Sequence, residues 1–281
     1  MVRFRLWLVA ALAAMLAWAP AQAQRAPGLT VMSLNIRYPS ADDGANLWEK
    51  RRALTIATIR AANPDLIGTQ ELFQRQGNDV VKALPQYAWF GTDRYGGHAN
   101  EHMGIFYRRD RLKIVEEGQF WLSEAPDKPG SMSWGIDLPR MVNWATFQTR
   151  DGRKFRFYDT HFPHRDQDEG ARAQAAMLLA ARIAEGPKDL PVILTGDFNT
   201  VESSGAHRAL TATLADAWLG GAPRHGPAFT FHGFTGEGDR RIDWILTRGF
   251  AVERIATVDT HQGAVYPSDH YPVVARVRFE R

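Results

Sequence analysis

Short apolar runs separated by polar turns carry most of this chain, and two periodicities alternate along it. Residues 29–36 (Leu29 to Ile36) form an almost continuous apolar run of strand length. Comparable runs predict strands at residues 65–70, 88–91, 103–107, 119–122, 141–147, 155–160, 192–194, 242–246, 252–258 and 273–279. Between them, Ala53, Ile56 and Ala57 recur at i, i+3, i+4 and predict a helix over 48–62, ended by Asn63-Pro64 because the residue before proline avoids helical geometry. Ala173, Ala176, Met177 and Ala180 predict a second helix over 169–184, and a third is expected over 205–217. Many strands with a few helices between them predict an α/β fold of sheets packed face to face, with helices on the outer faces. Periodicity leaves the strand order open.

The amino terminus follows another rule. A basic start at Arg3 and Arg5, an uncharged apolar stretch from Leu6 to Ala19 and the small-residue site Ala21-Gln22-Ala23 are the three parts of a secretory leader. The run is shorter than the roughly 20 residues that span a bilayer. Cleavage near Ala23 leaves residues 24–281 as one domain, because no linker or repeat divides them, and implies a secreted or periplasmic protein. The formal charge of +3 includes Arg3 and Arg5, so the remainder carries +3 − 2 = +1 and shows no nucleic-acid-binding excess. The absence of cysteine excludes disulfides, thiol catalysis and thiolate metal sites.

Polar residues fall where the apolar runs end. Asn35 interrupts the first strand, Glu71 follows the second, His161 closes residues 155–160, and Asp197 and Asn199 follow residues 192–194. Asp243 lies inside an apolar run, and Asp269-His270 precedes the last strand. Each alone reads as a turn residue or a satisfied buried amide. Asp243 is the exception, since a buried carboxylate is costly unless paired. Together they describe a site at one edge of packed sheets. Oxygen donors without cysteine suit a hard cation, Mg²⁺ ahead of Zn²⁺. No H-E-x-x-H motif, phosphate-binding glycine loop with lysine, or G-x-S-x-G elbow is present. Metal-assisted attack of water on phosphorus fits this set best.

Six segments in order, Leu34-Asn35-Ile36-Arg37, Thr69-Gln70-Glu71, Asp159-Thr160-His161, Gly196-Asp197-Phe198-Asn199, Arg241-Ile242-Asp243 and Ser268-Asp269-His270, resemble the motifs of the endonuclease/exonuclease/phosphatase superfamily. The stretch from Phe120 to Arg140 resembles bacterial members near its deadenylase-like branch. The resemblance implies a DNase I-like four-layered α/β sandwich, two mixed sheets flanked by helices. It implies a metal, Mg²⁺ or Mn²⁺, bound by Glu71 with help from Asn35 and Asp269. Asp197 would activate water, Asn199 position it, His270 (held by Asp243) contact the phosphoryl oxygens, and His161 donate to the phosphate or protonate the leaving oxygen. Arg37, His102, Arg140 and His164 are further substrate-binding candidates; Glu101 could line the same pocket. Trp134, Phe162 and Phe231 are either aromatic walls or packing. The implied activity is a phosphodiesterase or nuclease, or alternatively a hydrolase of small or lipid-headgroup phosphoesters, with no stable membrane insertion and no protein partner. A catalytically dead binding module would lack some of these residues, and none is missing.

Overall fold

In a computed structural model, which describes residues 28–280, strand β1 (Leu29–Asn35) lies inside a sheet and is buried along almost its whole length. The expected leader falls outside the described residues. The chain continues through α1 (Trp48–Ala62), β2 (Leu66–Leu72), α2 (Gln74–Ala83), β3 (Tyr87–Phe90), β4 (His102–Arg108), β5 (Leu112–Trp121), β6 (Met141–Thr149), β7 (Lys154–His161), α3 (Glu169–Glu185), β8 (Val192–Asp197) and α4 (Gly205–Thr211). It ends through β9 (Ala215–Asp216), β10 (Arg224–His225), β11 (Asp243–Arg248), β12 (Phe250–Thr257) and β13 (Val273–Phe279). One sheet has the order β10-β12-β13-β1-β2-β4-β3 and the other β5-β6-β7-β8-β11-β9. Each is mixed: β1 and β2 run parallel in the first, β7 and β8 in the second, and antiparallel partners flank both pairs. Helices cover the outer faces, giving the expected four layers.

Strand pleating explains which residues meet between the sheets, since alternate side chains face opposite sides. Val31, Leu66, Phe155, Phe157, Ile193 and Ile245 face inward and form the shared core. Met32 and Leu34 face the other way, against Trp48, Ile56 and Ile59 of α1. Leu194, Trp244 and Leu246 likewise pack with Ala175, Ala176 and Leu179 of α3. Two residues further along the inward rows the character changes to Ser33, Gly68, Asp159 and Thr195, and after two more to Asn35, His161 and Asp197. The gap between the sheets thus grades from apolar to hydrogen-bonded to ionisable toward the ends of the two parallel pairs.

The middle zone is a buried polar bridge. Gln70 Nε2 and Thr195 Oγ1 each donate to Asp159 Oδ1 at 2.7 Å. Burial raises the Asp159 carboxyl well above its usual range. Gly68 makes room for the bridge: a Cβ there would lie 2.0 Å from Thr195 Oγ1 and 2.3 Å from Asp159 Oδ1.

The structure departs from the sequence pattern at three places. The third helix stops at Thr211 rather than reaching residue 217, because Ala215 and Asp216 pair with β11 as an edge strand. Helix α2 was not foreseen, its start being polar and interrupted by Gly77, which leaves space for Trp89. Strand β5 starts at Leu112 rather than near residue 119; its exposed stretch around Glu116 and Glu117 lacks an apolar pattern. No helix among the described residues is long and apolar enough to cross a membrane.

Gly68→Ala is therefore expected to destabilise the protein by about 1–3 kcal/mol through overpacking against the Asp159–Thr195 pair. Urea unfolding measures this, and an unchanged midpoint would show that the gap at Gly68 is not tightly filled.

Candidate active site

At the polar end of the gap, Asn35 joins the two sheets. Its Nδ2 donates to Glu71 Oε1 and to Asp197 Oδ2, each at 3.0 Å, and its Oδ1 accepts from the Arg37 backbone at 2.9 Å. Glu71 reaches this position through a local irregularity. Gln70 already points inward, so a regular strand would turn Glu71 toward α1. The register of β2 against β4 instead slips between Thr69 and Leu72, and Glu71 takes φ 60°, which re-aims its carboxylate into the gap. Arg37 and Asn199 also have positive φ, 58° and 52°, so three residues of the site hold a backbone conformation that side chains disfavour.

The loops are fastened as firmly as the strands. Ser268 Oγ donates to the Asn35 carbonyl at 2.6 Å, setting the 268–270 turn beside β1. Beneath it the fully buried Arg51 donates to the carbonyls of Ile36, Arg37, Asn46 and Pro267 at 2.7–2.8 Å. Burial lowers the Arg51 pKa to about 10, so it stays a cation and ties the loop after β1 to the segment before Asp269.

His270 sits between two carboxylates. Its Nδ1 donates to Asp243 Oδ2 at 2.9 Å, and its Nε2 lies 3.8 Å from Asp197 Oδ2. Burial alone would lower its pKa, but the charges of Asp243 and Asp197 overcome this and raise it well above the ordinary imidazole value. Asp197 is raised to about 7, by burial first and by Asp243 second. It also accepts from the Asn199 backbone N–H at 3.0 Å. His161, with Nε2 3.5 Å from Asp197 Oδ2, goes the other way: burial, then Arg140 and Arg94, push it well below the usual range. A neutral His161 suits hydrogen-bond donation better than protonation of a leaving oxygen.

Two groups of oxygens could interest a cation. Asp197, Asp243 and His270 offer ligand atoms within 4.8 Å of one another. In this set His270 Nδ1 is already engaged with Asp243 Oδ2 at 2.9 Å. Glu71 and Asp269 form the other group. Each Glu71 oxygen accepts one hydrogen bond, from Asn35 and from the Tyr38 backbone at 3.0 Å, and keeps lone pairs free. Burial first, and then the nearby Glu71 charge, raise Asp269. This all-oxygen pair fits a hard divalent ion.

A cavity of about 500 Å³ opens onto the site. It brings together Glu71, His161, Asp197, Asn199, Asp269 and His270, and of the substrate-binding candidates Arg37, Arg140 and His164. Asn35 and Asp243 act from behind this lining. His102 does not reach it: the ring is fully buried, with Nδ1 at 2.9 Å from the Leu72 carbonyl and Nε2 against His98. Its neighbour Glu101 does line the cavity, with Arg94. Arg94 escaped notice in the sequence because it lies in a loop with no apolar frame; the Asp93 turn before it was the available signal. Phe231 lines the cavity and meets the His270 ring edge-on at 5.1 Å, whereas Phe162 is core packing and Trp134 lies outside the lining.

Comparison with known proteins agrees with this geometry. Among solved structures, an endonuclease/exonuclease/phosphatase family protein from Bacteroides thetaiotaomicron is 34% identical, with a TM-score of 0.84 over 90% of this chain and 98% of that one. A mannosyl-6-phosphatase of the same organism is 35% identical, with a TM-score of 0.83 over 89% of this chain and 100% of that one. An uncharacterized protein of Acanthamoeba polyphaga mimivirus is 32% identical over 165 residues, spanning 54% of this chain and 59% of the viral protein. The family profile itself matches residues 32–270, nearly all of the described chain, and the chain belongs to the endonuclease/exonuclease/phosphatase family.

Proposed function

We propose that this protein is an exported hydrolase of small phosphoesters that works with Mg²⁺ or Mn²⁺. The observation that carries this reading is the Asp197–His270 pair, backed by Asp243, set in one cavity with the Glu71 and Asp269 carboxylates. Glu71 and Asp269 would hold the cation, with Asn35 fixing Glu71. A bound cation would supply positive charge to the phosphoryl oxygens. Asp197, poised near neutrality, takes a proton from the attacking water, and Asn199 steadies its carboxylate through the backbone N–H. The His270 imidazolium, oriented by Asp243, donates to the oxygens whose charge grows as water attacks, and neutral His161 adds a second donor. The P–O bond to the leaving group breaks, the leaving oxygen takes up a proton from solvent water to depart as an alcohol, and Asp197 returns to solvent the proton it took from the attacking water.

Three features favour a small ester over nucleic acid. The chain without its leader has a charge near zero, the site is a bounded cavity, and the similar mannosyl-6-phosphatase acts on a sugar phosphate by its name. Export rests on the leader pattern of residues 1–23.

Asp197→Asn and Glu71→Gln are each expected to lower kcat by about 10²–10⁴-fold while circular dichroism and unfolding midpoints stay close to wild type. A panel of p-nitrophenyl phosphate, bis-p-nitrophenyl phosphate, sugar phosphates, DNA and RNA, run with Mg²⁺ or Mn²⁺ and with EDTA, places the substrate. Turnover confined to polymers would refute the small-ester reading, and turnover indifferent to EDTA would remove the cation.

Activity should also depend on pH in a defined way. The acid limb of kcat/KM should fall near pH 7, where Asp197 gains its proton, with a basic limb where His270 loses its own. The Asp243 charge raises both groups, so Asp243→Asn should move both limbs to lower pH. Limbs that stay in place would show that Asp243 does not control this pair.

A further inference from the structure

Four arginines line the cavity, Arg37, Arg94, Arg140 and Arg240, and the hydrolytic steps above use none of them; of the four, Arg94 and Arg140 are buried. Arg140, just before β6, is 3% exposed, and its Nη2 faces His164 Nδ1 at 3.1 Å. Its Nε and Nη1, which carry three N–H donors between them, are buried without a partner. Arg94 is 2% exposed and ion-paired through Nη2 with Glu101, and its Nε is likewise buried and unpartnered. Both arginines line the cavity that holds Glu71, His161, Asp197 and His270.

Unfilled buried donors on a cation are costly, and placing two such cations together adds repulsion. Burial lowers the Arg140 pKa to about 10, with Arg94 contributing further, against the pull of Glu101, Asp197 and Glu71. Core packing does not call for this arrangement; an anion entering the cavity would relieve it. We propose that Arg94 and Arg140 seat the terminal phosphate of a monoester and make this site selective for phosphomonoesters over diesters. The inference rests on the hydrolase reading above and narrows its substrate class.

The argument turns on oxygen count and charge. A monoester phosphate presents three acceptor oxygens and a charge approaching −2 at neutral pH. His270, His161 and a cation on Glu71 can engage part of that set and leave an oxygen for charge-assisted hydrogen bonds from the arginines. A diester has two non-bridging oxygens and one charge, so its second ester arm would lie against the unfilled N–H groups. Glu101 fixes the plane of Arg94 and leaves Arg140 as the principal contact.

The test has two readouts on the full chain and its Arg140→Gln, Arg140→Lys and Arg94→Gln variants. Turnover of p-nitrophenyl phosphate is compared with that of bis-p-nitrophenyl phosphate, which has the same leaving group, and calorimetry measures binding of inorganic phosphate and dimethyl phosphate. Wild type should prefer the monoester and bind phosphate over dimethyl phosphate. Arg140→Gln should lower the monoester-to-diester preference and weaken phosphate binding by at least about tenfold each. Arg140→Lys, which keeps the charge and is the safer variant for folding, should recover only part of the loss. Equal loss on both esters, or phosphate binding unchanged in the variants, would overturn the assignment. Absence of turnover on either ester by wild type would count against the hydrolase reading, while the binding comparison would still decide the role of the arginines.

Discussion

The amide of Asn35, bonded at once to Glu71 in its own sheet and to Asp197 in the other, is the contact on which the rest of the site depends. It exists because Asn35 and Asp197 end two inward-facing rows that the sheet pleats bring opposite each other. Below them the same rows are apolar, and that packing sets the spacing of the sheets. A hydrogen bond at this depth is stronger than its counterpart in water, and breaking it strands polar groups that water cannot reach. The core thus determines the geometry of the site, and Asn35 links two carboxylates, one from each sheet.

Burial acts on Asp197, His161 and His270 alike, yet the three end in different states. Asp197 moves up toward neutrality and His161 is held neutral, both chiefly by burial with Asp243 and two arginines adding to it, while His270 is held as a cation by two carboxylates. One desolvated cavity therefore holds a carboxyl near neutrality, a charged imidazole and a neutral one together, because only at His270 do neighbouring charges override burial. Arg51 extends this logic to the loops. A buried cation satisfied entirely by backbone carbonyls fixes two segments of chain without adding a carboxylate near the site.

Much of this was legible in the sequence because polar residues break apolar runs where strands end, as at Asn35, His161 and Asp197. Asp243 could be singled out because a carboxylate inside Ile242–Leu246 needs a partner, and His270 is that partner. Glu71 was legible by its motif, while the means of its placement was not. Alternation would have turned it toward α1, and only the slipped register and its positive φ show how it enters the site. His102 misled because it adjoins Glu101, which does reach the cavity from the loop just before β4, whereas His102 begins the strand and is buried. Arg94 and α2 lie where polar composition hides structure: their burial is created by residues far away in the chain, and no local pattern reports it.

The contact between Asn35 and Asp197 spans 162 positions of sequence and closes only when the two sheets dock. Neither half of the chain can assemble a partial version of the site, because each sheet contributes part of what the other lacks. Long-range contacts of this kind form late, after the entropy of bringing distant segments together has been met. Hydrolysis is then a property of the finished molecule, and its onset during refolding marks the moment at which the two sheets close on each other.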